Sequence, residues 1–261
     1  MTTEDTTDGY SSWGVRRSLD GERLLGVFAR LVQPLGESLP ETSEIVLHDL
    51  SLLPNSIIAI HGNVTGRKIG DPATSLLLEK LSAKGHEDTF LNYESVLPDG
   101  RRLRSSTILI RDLAGNPAAA LCINTDTSAW ETIERVARAM LGPSSPDQAE
   151  SPSPVSVSSD HHEAFVHDID ELAEVVLQRA LVEAEVPVEL MQKRHKIKVV
   201  QRLKEHGLFL LKDAVELTAS ALHVTRFTIY NYLNEIELEE AADNPGKTDA
   251  PTHGKASHEP R

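Results

Sequence analysis

Apolar residues recur along this chain with two different periods, helical and strand-like, and the changes of period mark its parts. Residues 21–39 (GERLLGVFARLVQPLGESL) place Leu24, Leu25, Phe28, Leu31 and Val32 at helical spacing, with Pro34 near the end. The runs EIVLHDL (44–50) and NSIIAIHG (55–62) are short, rich in Ile and Val, and separated by Leu-Pro-Asn, which predicts a hairpin-like pair of strands. GDPATSLLLEKLSAKG predicts a short helix with Asp71 as N-cap, Pro72 at the first helical position and Gly85 past its end. FLNYESVL and RRLRSSTILIRD flank the strong turn signal Pro-Asp-Gly, and a further turn at Asp112–Pro117 leads into AAALCIN. A helix over Ser128–Leu141 closes this part. Three consecutive strands exclude the alternating β-α units of a Rossmann sheet. The fold class expected is α+β, a five-stranded antiparallel sheet with helices followed by an all-α helix-turn-helix domain.

The pattern lapses three times. Residues 1–18 are polar and read as a disordered tail. Residues 143–163 are dominated by Ser, Pro, Asp and Glu and read as a flexible linker, expected to transmit torque poorly. Residues 237–261 read as a disordered acidic tail. The intervening domains are expected at 19–142, an α+β unit; at 164–186, a connecting helix; and at 187–236, the helix-turn-helix. The stripe Ile169, Leu172, Ala173, Val176, Leu177, Ala180 and Leu181 fits either a dimer contact or packing on the chain's own helices.

Composition narrows the class. In 261 residues there is one cysteine, Cys122, so an internal disulfide is excluded. No apolar run approaches the ~20 residues of a membrane span, and the N-terminus lacks a signal-peptide pattern, so a cytoplasmic protein without membrane contact is expected. The net charge is −14, yet residues 187–236 hold eight Lys/Arg against five Asp/Glu. His161, His162, His253 and His258 lie in linker or tail and read as solvated, not as metal ligands. No catalytic constellation has a suitable spacing, no cofactor is expected, and an enzyme is the least favoured reading.

The basic segment carries the sharpest motif. GLFLLKDAVELTASALHVTRFTIYNYL (207–233) predicts one helix over about 213–222, with small Ala219 at the close approach, and a second from about Arg226. Thr225 is its N-cap. His223 stands where a left-handed residue is required, often Gly. With Val224, Ile229 and Leu233 inward, Thr225, Arg226, Thr228 and Asn231 are left to read a DNA groove. Lys193 and Lys212 are expected on phosphates. Symmetric half-sites imply a homodimer or higher oligomer.

These residues resemble the YheO-like transcriptional regulators. The resemblance runs through SEIVLHDLS (43–51), NSIIAIHGNVTGRKIGDP (55–72), LRSSTILIRD (103–112) and ALCINTD (120–126), and again through 207–233. It implies a PAS-like sensor joined to a helix-turn-helix that binds double-stranded DNA. Because the family includes a regulator of D-arginine use, it also implies a small polar metabolite, a cationic amino acid first. For the pocket, polar residues on inward strand positions are the candidates: His48, Asn63, Ser105, Thr107 and Asn124. Ser106 is expected on the opposite face and Cys122 as a buried thiol. Arg67 and Lys68 are expected in a turn, solvated or near an anionic group. A PAS domain that serves only as a dimerisation scaffold stays open as the alternative.

Overall fold

The computed structural model describes residues 18–83, 87–141 and 163–243. Helix α1 (Leu19–Ser38) begins at Ser18, whose hydroxyl accepts from the Gly21 amide and donates to Asp112. Five strands follow: β1 (Ser43–Asp49), β2 (Ile57–His61), β3 (Thr89–Val96), β4 (Arg102–Arg111) and β5 (Pro117–Asp126). They form one sheet in the order β2-β1-β5-β4-β3, with antiparallel neighbours throughout. Helix α2 (Ser75–Ser82) lies between β2 and β3, and α3 (Ser128–Leu141) follows β5. Thr74, not Asp71, caps α2: its hydroxyl accepts from the Leu77 amide. Asp71 instead accepts from the Lys68 amide and closes the preceding turn. Gly85 lies outside the described residues.

Strand alternation divides the sheet into two unlike faces. The outer face presents Ile45, Leu47, Ala119 and Leu121, which pack with Leu25 and Val32 of α1 into an apolar core. The inner face presents Glu44, His48, Asn124, Ser105 and Thr107, all buried. The register sets Glu44 opposite Asn124, and Asn124 opposite Ser105. Ser106, on the other face, accepts from the Asn92 amide.

The second part is helical: α4 (Ile169–Glu183), α5 (Lys193–Glu205), α6 (Ala214–Ala221) and α7 (Arg226–Asp243). Two expected boundaries move. Residues 163–168 are not helical; Glu163, Phe165 and Val166 are buried against the sheet domain, and α4 starts at its N-cap Asp168. Glu163 is expected in the linker, but its surroundings belong to the sheet domain. Helix α7 also runs past residue 236 to Asp243, because Ile236 is buried and anchors a further turn. Residues 1–17, 142–162 and 244–261, where the tails and most of the linker are expected, lie outside the described residues.

The two parts share a core. Leu77 and Leu78 of α2 join one apolar cluster with Leu172, Val176, Val200, Leu203, Leu208 and Ile229. Gly207, in the left-handed region at φ 76, lies so close to α2 that an added Cβ would stand 2.7 Å from the Leu78 carbonyl oxygen. Arg179 pairs with Glu79 at 3.4 Å across the same contact. The stripe of α4 is thus spent inside the chain, where Leu172, Ala173, Val176 and Ala180 are buried. The linker, expected to transmit torque poorly, is therefore not the sole connection between the parts, since this core joins them directly.

Candidate DNA-reading surface and sensor pocket

The helix-turn-helix is built from α6 and α7. Ala219 is buried where the helices meet, beside Leu222 and Ile229. The turn between them passes through His223 at φ 50, so histidine adopts the left-handed conformation that the position demands. Thr225 caps α7: its Oγ1 accepts from the Thr228 amide at 3.2 Å and lies 2.9 Å from the Thr228 hydroxyl. Thr225, Arg226 and Asn231 are exposed, and Thr228 is half-buried beside its cap. Arg226 reaches Glu216 of α6 at 3.7 Å, a loose exposed pair that a phosphate or base edge can replace. Phe227, beside Arg226, is 73% exposed, an apolar ring that the hydrophobic pattern did not single out.

The two lysines differ. Lys212 is exposed just before α6. Lys193, at the start of α5, is held by Glu235 of α7 at 2.8 Å, and that bond raises its pKa. Lys196 donates to the Leu222 carbonyl at 2.7 Å and so satisfies the end of α6.

In the sheet domain, the inner face of the sheet carries a continuous polar chain. Ser105 donates to Asn124 Oδ1 at 2.9 Å, and Asn124 Nδ2 donates to Glu44 Oε1 at 3.2 Å. Ser105 has one hydrogen, already given to Asn124, so Ser95 donates in the 2.7 Å contact between the two hydroxyls. Glu44 also accepts from the Val64 and Thr65 amides and the Thr65 hydroxyl, at 3.0, 3.1 and 2.7 Å. Beside this row, Thr107 meets the Tyr93 hydroxyl at 2.9 Å and the Cys122 thiol at 3.4 Å. Burial pushes that thiol up to about 11, which leaves it a protonated core residue.

Three side chains on this face have atoms without partners. His48 is fully buried; Nδ1 lies 2.8 Å from the Ser56 hydroxyl, while Nε2 has no hydrogen-bond partner. Burial, helped by the nearby Arg67 charge, lowers its pKa to about 3, so the ring is neutral. Arg67 is 5% exposed, donates from Nε to Thr65 and leaves Nη1 unsatisfied. Glu163 Oε2 is unsatisfied as well. Buried orphan atoms are rare and costly, and these three gather around the Arg67 charge.

Asn63 does not belong to this group. It is exposed in the turn after β2, because the left-handed Gly62 redirects the chain. Arg67, expected in a solvated or anion-facing turn, is instead buried against the sheet, whereas Lys68 is exposed. Sequence reading passed over Glu44, Thr65, Thr74, Tyr93, Ser95 and Glu163. Glu44 had one available signal, a charged residue at an inward position of an Ile/Val-rich strand. Among the described residues no group of three His, Cys, Asp or Glu side chains is placed to hold a metal, and no helix is long and apolar enough to cross a membrane.

Comparison with known proteins agrees with this division. A model of the YheO-like PAS domain matches residues 20–142, and a model of an HTH domain matches residues 172–234. The chain is 31% identical over 201 residues to the transcriptional regulator DauR of Pseudomonas aeruginosa, covering 77% of this chain and 88% of that protein. It is 27% identical over 217 residues to the protein YheO of Escherichia coli K12, covering 82% and 85%. An uncharacterised Haemophilus influenzae protein is 23% identical over 222 residues, covering 85% and 95%. A PAS sheet, a capped helix-turn-helix and likeness along most of both domains lead to one conclusion: the chain belongs to the YheO-like family of transcriptional regulators, with an N-terminal PAS domain and a C-terminal HTH domain.

Proposed function

We propose that this regulator binds double-stranded DNA through α7 as a homodimer, and that its PAS domain senses a small polar metabolite. Arg226 and Asn231 read base edges, Thr225 and Thr228 set the start of the reading helix, and Lys212 and Lys193 contact phosphates. The observation that carries the sensing half is the buried row Glu44–Asn124–Ser105–Ser95, flanked by the orphan atoms of His48 and Arg67. A domain that served only as a scaffold gains nothing from burying so many polar groups, whose desolvation is costly. Within the row, Ser105, Thr107 and Asn124 orient the ligand and His48 presents a neutral ring nitrogen. A cationic amino acid is the first candidate.

The dimer reading is supported by α3. None of its residues is buried, and Trp130, Ile133, Val136 and Met140 form an exposed apolar stripe along it. One helix-turn-helix covers a single half-site, so a two-fold pair doubles the contacts. The experiment is to sequence the DNA fragments that co-purify with the protein and titrate the enriched site with cationic amino acids. Enrichment of one inverted repeat, with affinity shifted by about 5–150-fold by one metabolite, is the expected result. Random fragments would sink the DNA-reading assignment.

A further inference from the structure

The residues between the sheet domain and α4 do more than connect. Glu163, Phe165 and Val166 are all buried, and together they cross the polar inner face of the sheet. Phe165 packs with Val64, Leu97 and Leu103, and the Arg67 guanidinium lies over its ring at 5.2 Å. The Ala164 amide donates to the Ser75 hydroxyl at 2.9 Å, and His167 meets Asp71 at 3.2 Å. The strap is thus tied to the sheet domain at Ala164, Phe165 and His167 and passes directly into the cap of α4 at Asp168.

At its head, the Glu163 carboxyl lies against the hydroxyls of Thr74, Ser95 and Tyr93, within the field of Arg67. Everything the sensor supplies here, apart from Ser95, is a donor to an anion. Thr74 and Tyr93 have hydrogens to give, and Arg67 has an unused N–H. Yet the tethered carboxyl fits imperfectly. Ser95 has committed its hydrogen to Ser105, Glu163 Oε2 has no partner, and neither has Arg67 Nη1. A buried carboxylate with one oxygen unsatisfied is held at a cost, and burial accordingly raises its pKa.

We propose that Glu163 is a tethered occupant of a carboxylate-binding site made by Arg67, Thr74 and Tyr93, and that the carboxylate of a small metabolite displaces it. This rests on the sensing reading above and supplies its mechanism. A free carboxylate is not bound by the strap's geometry and can satisfy both Arg67 Nη1 and the hydroxyls. When it enters, Glu163 and Phe165 leave together, because Phe165 packs on the same guanidinium. The start of α4 loses its anchorage, and α4 belongs to the core that carries α6 and α7. A group held by a short tether has an effective concentration in the millimolar range, so a weak carboxylate competes only at that level.

Propionate is the Glu163 side chain without its backbone, and it is the probe of choice. In full-length Glu163→Ala, millimolar propionate is expected to raise the melting temperature saturably and more than in wild type. Propylamine, of the same size and opposite charge, should not, and adding Arg67→Gln should abolish the effect. Glu163→Ala should also shift affinity for a co-purified DNA fragment by about fivefold or more, since the strap is already unseated. Wild-type protein tests the same idea without substitution: propionate should speed hydrogen exchange at the amides of Ala164–Val166, and this arm decides if Glu163→Ala does not fold. Equal stabilisation by propylamine, no extra effect of propionate in Glu163→Ala, unchanged wild-type exchange, or unchanged DNA affinity in a folded Glu163→Ala would each overturn the proposal. Loss of all DNA binding by wild type is a different failure. It would remove the regulator reading, and the coupling with it, whatever propionate does at the strap.

Discussion

The inner face of the sheet and the core under α7 are both buried, but they are built from opposite materials. Under α7, Leu203, Leu208, Leu222 and Ile229 are fully enclosed and apolar, so that core asks only for volume. On the sheet, Glu44, His48, Ser105 and Asn124 are as deeply enclosed, and the hydrogen bonds they make are directional. Apolar packing makes a rigid support, and Arg226 and Asn231 stand exposed on its outside. Polar burial fills the interior with hydrogen bonds that, in the proposed function, distinguish one occupant from another. In the proposed function, one half of this regulator reads with its outside and the other with its inside.

That contrast breaks most visibly in the apolar core. Leu203→Ala, at a residue with no exposure, is expected to lose about 2–5 kcal/mol in urea unfolding. DNA binding should fall only as far as the folded fraction falls. If stability is unchanged, α5 does not hold the two parts together. Next in size is Glu44→Ala, which strands the Val64 and Thr65 amides, the Thr65 hydroxyl and Asn124 Nδ2. About 3 kcal/mol of stability should go. The isosteric Glu44→Gln should recover part of it, since its carbonyl oxygen still accepts while its NH2 faces a donor. A Gln variant as damaged as Ala would mean that charge outweighs geometry there.

Arg226→Ala sharpens the other side of the comparison. Its side chain is 67% exposed, so stability should hold while affinity for the enriched site falls by about 1–3 kcal/mol and base preference relaxes. Lys212→Ala should instead weaken all sequences about equally and flatten the salt dependence. An Arg226→Ala protein with unchanged affinity and preference would remove α7 as the reader.

The smallest effect is a pH dependence. His48 is neutral in the fold, with its pKa lowered to about 3 by burial and then by the Arg67 charge, whereas the unfolded ring titrates near 6.5. Its contribution is fully present above 6.5. Between 6.5 and about 3 the unfolded chain binds the extra proton, so stability falls with falling pH by up to about 1.4 kcal/mol per unit. Glu163, with its pKa raised by burial, acts in the opposite sense, and its contribution is lost as pH rises through its folded value. Comparing wild type with His48→Asn separates the two. The variant should show the shallower loss between pH 6.5 and 5, and parallel curves would mean that His48 is not the titrating group.

The pattern of apolar and polar positions was enough to determine the elements, the α+β class, the helix-turn-helix and its Thr225 cap. These depend on local information: the two-residue period of strands, the 3.6-residue period of helices, and the chemistry of a residue beside its own backbone. The same alternation separated Ser105 and Thr107 from Ser106 and placed them, with Asn124, on the inner face. What the pattern could not reach was the company these residues keep. Glu44, Arg67, Tyr93, Ser95 and Glu163 come from separate segments and meet only through strand register and the strap. Each by itself looks like a solvated polar residue. Asn63 fails the other way, since a polar residue beside a strand looks inward until Gly62 turns it out. Glu163 is the clearest case. At the end of a Ser/Pro-rich run nothing local distinguishes a solvated glutamate from one buried over a sheet more than a hundred residues from β1. Only the closing of the tertiary structure, which brings Arg67 and Phe165 to the same point, decides it.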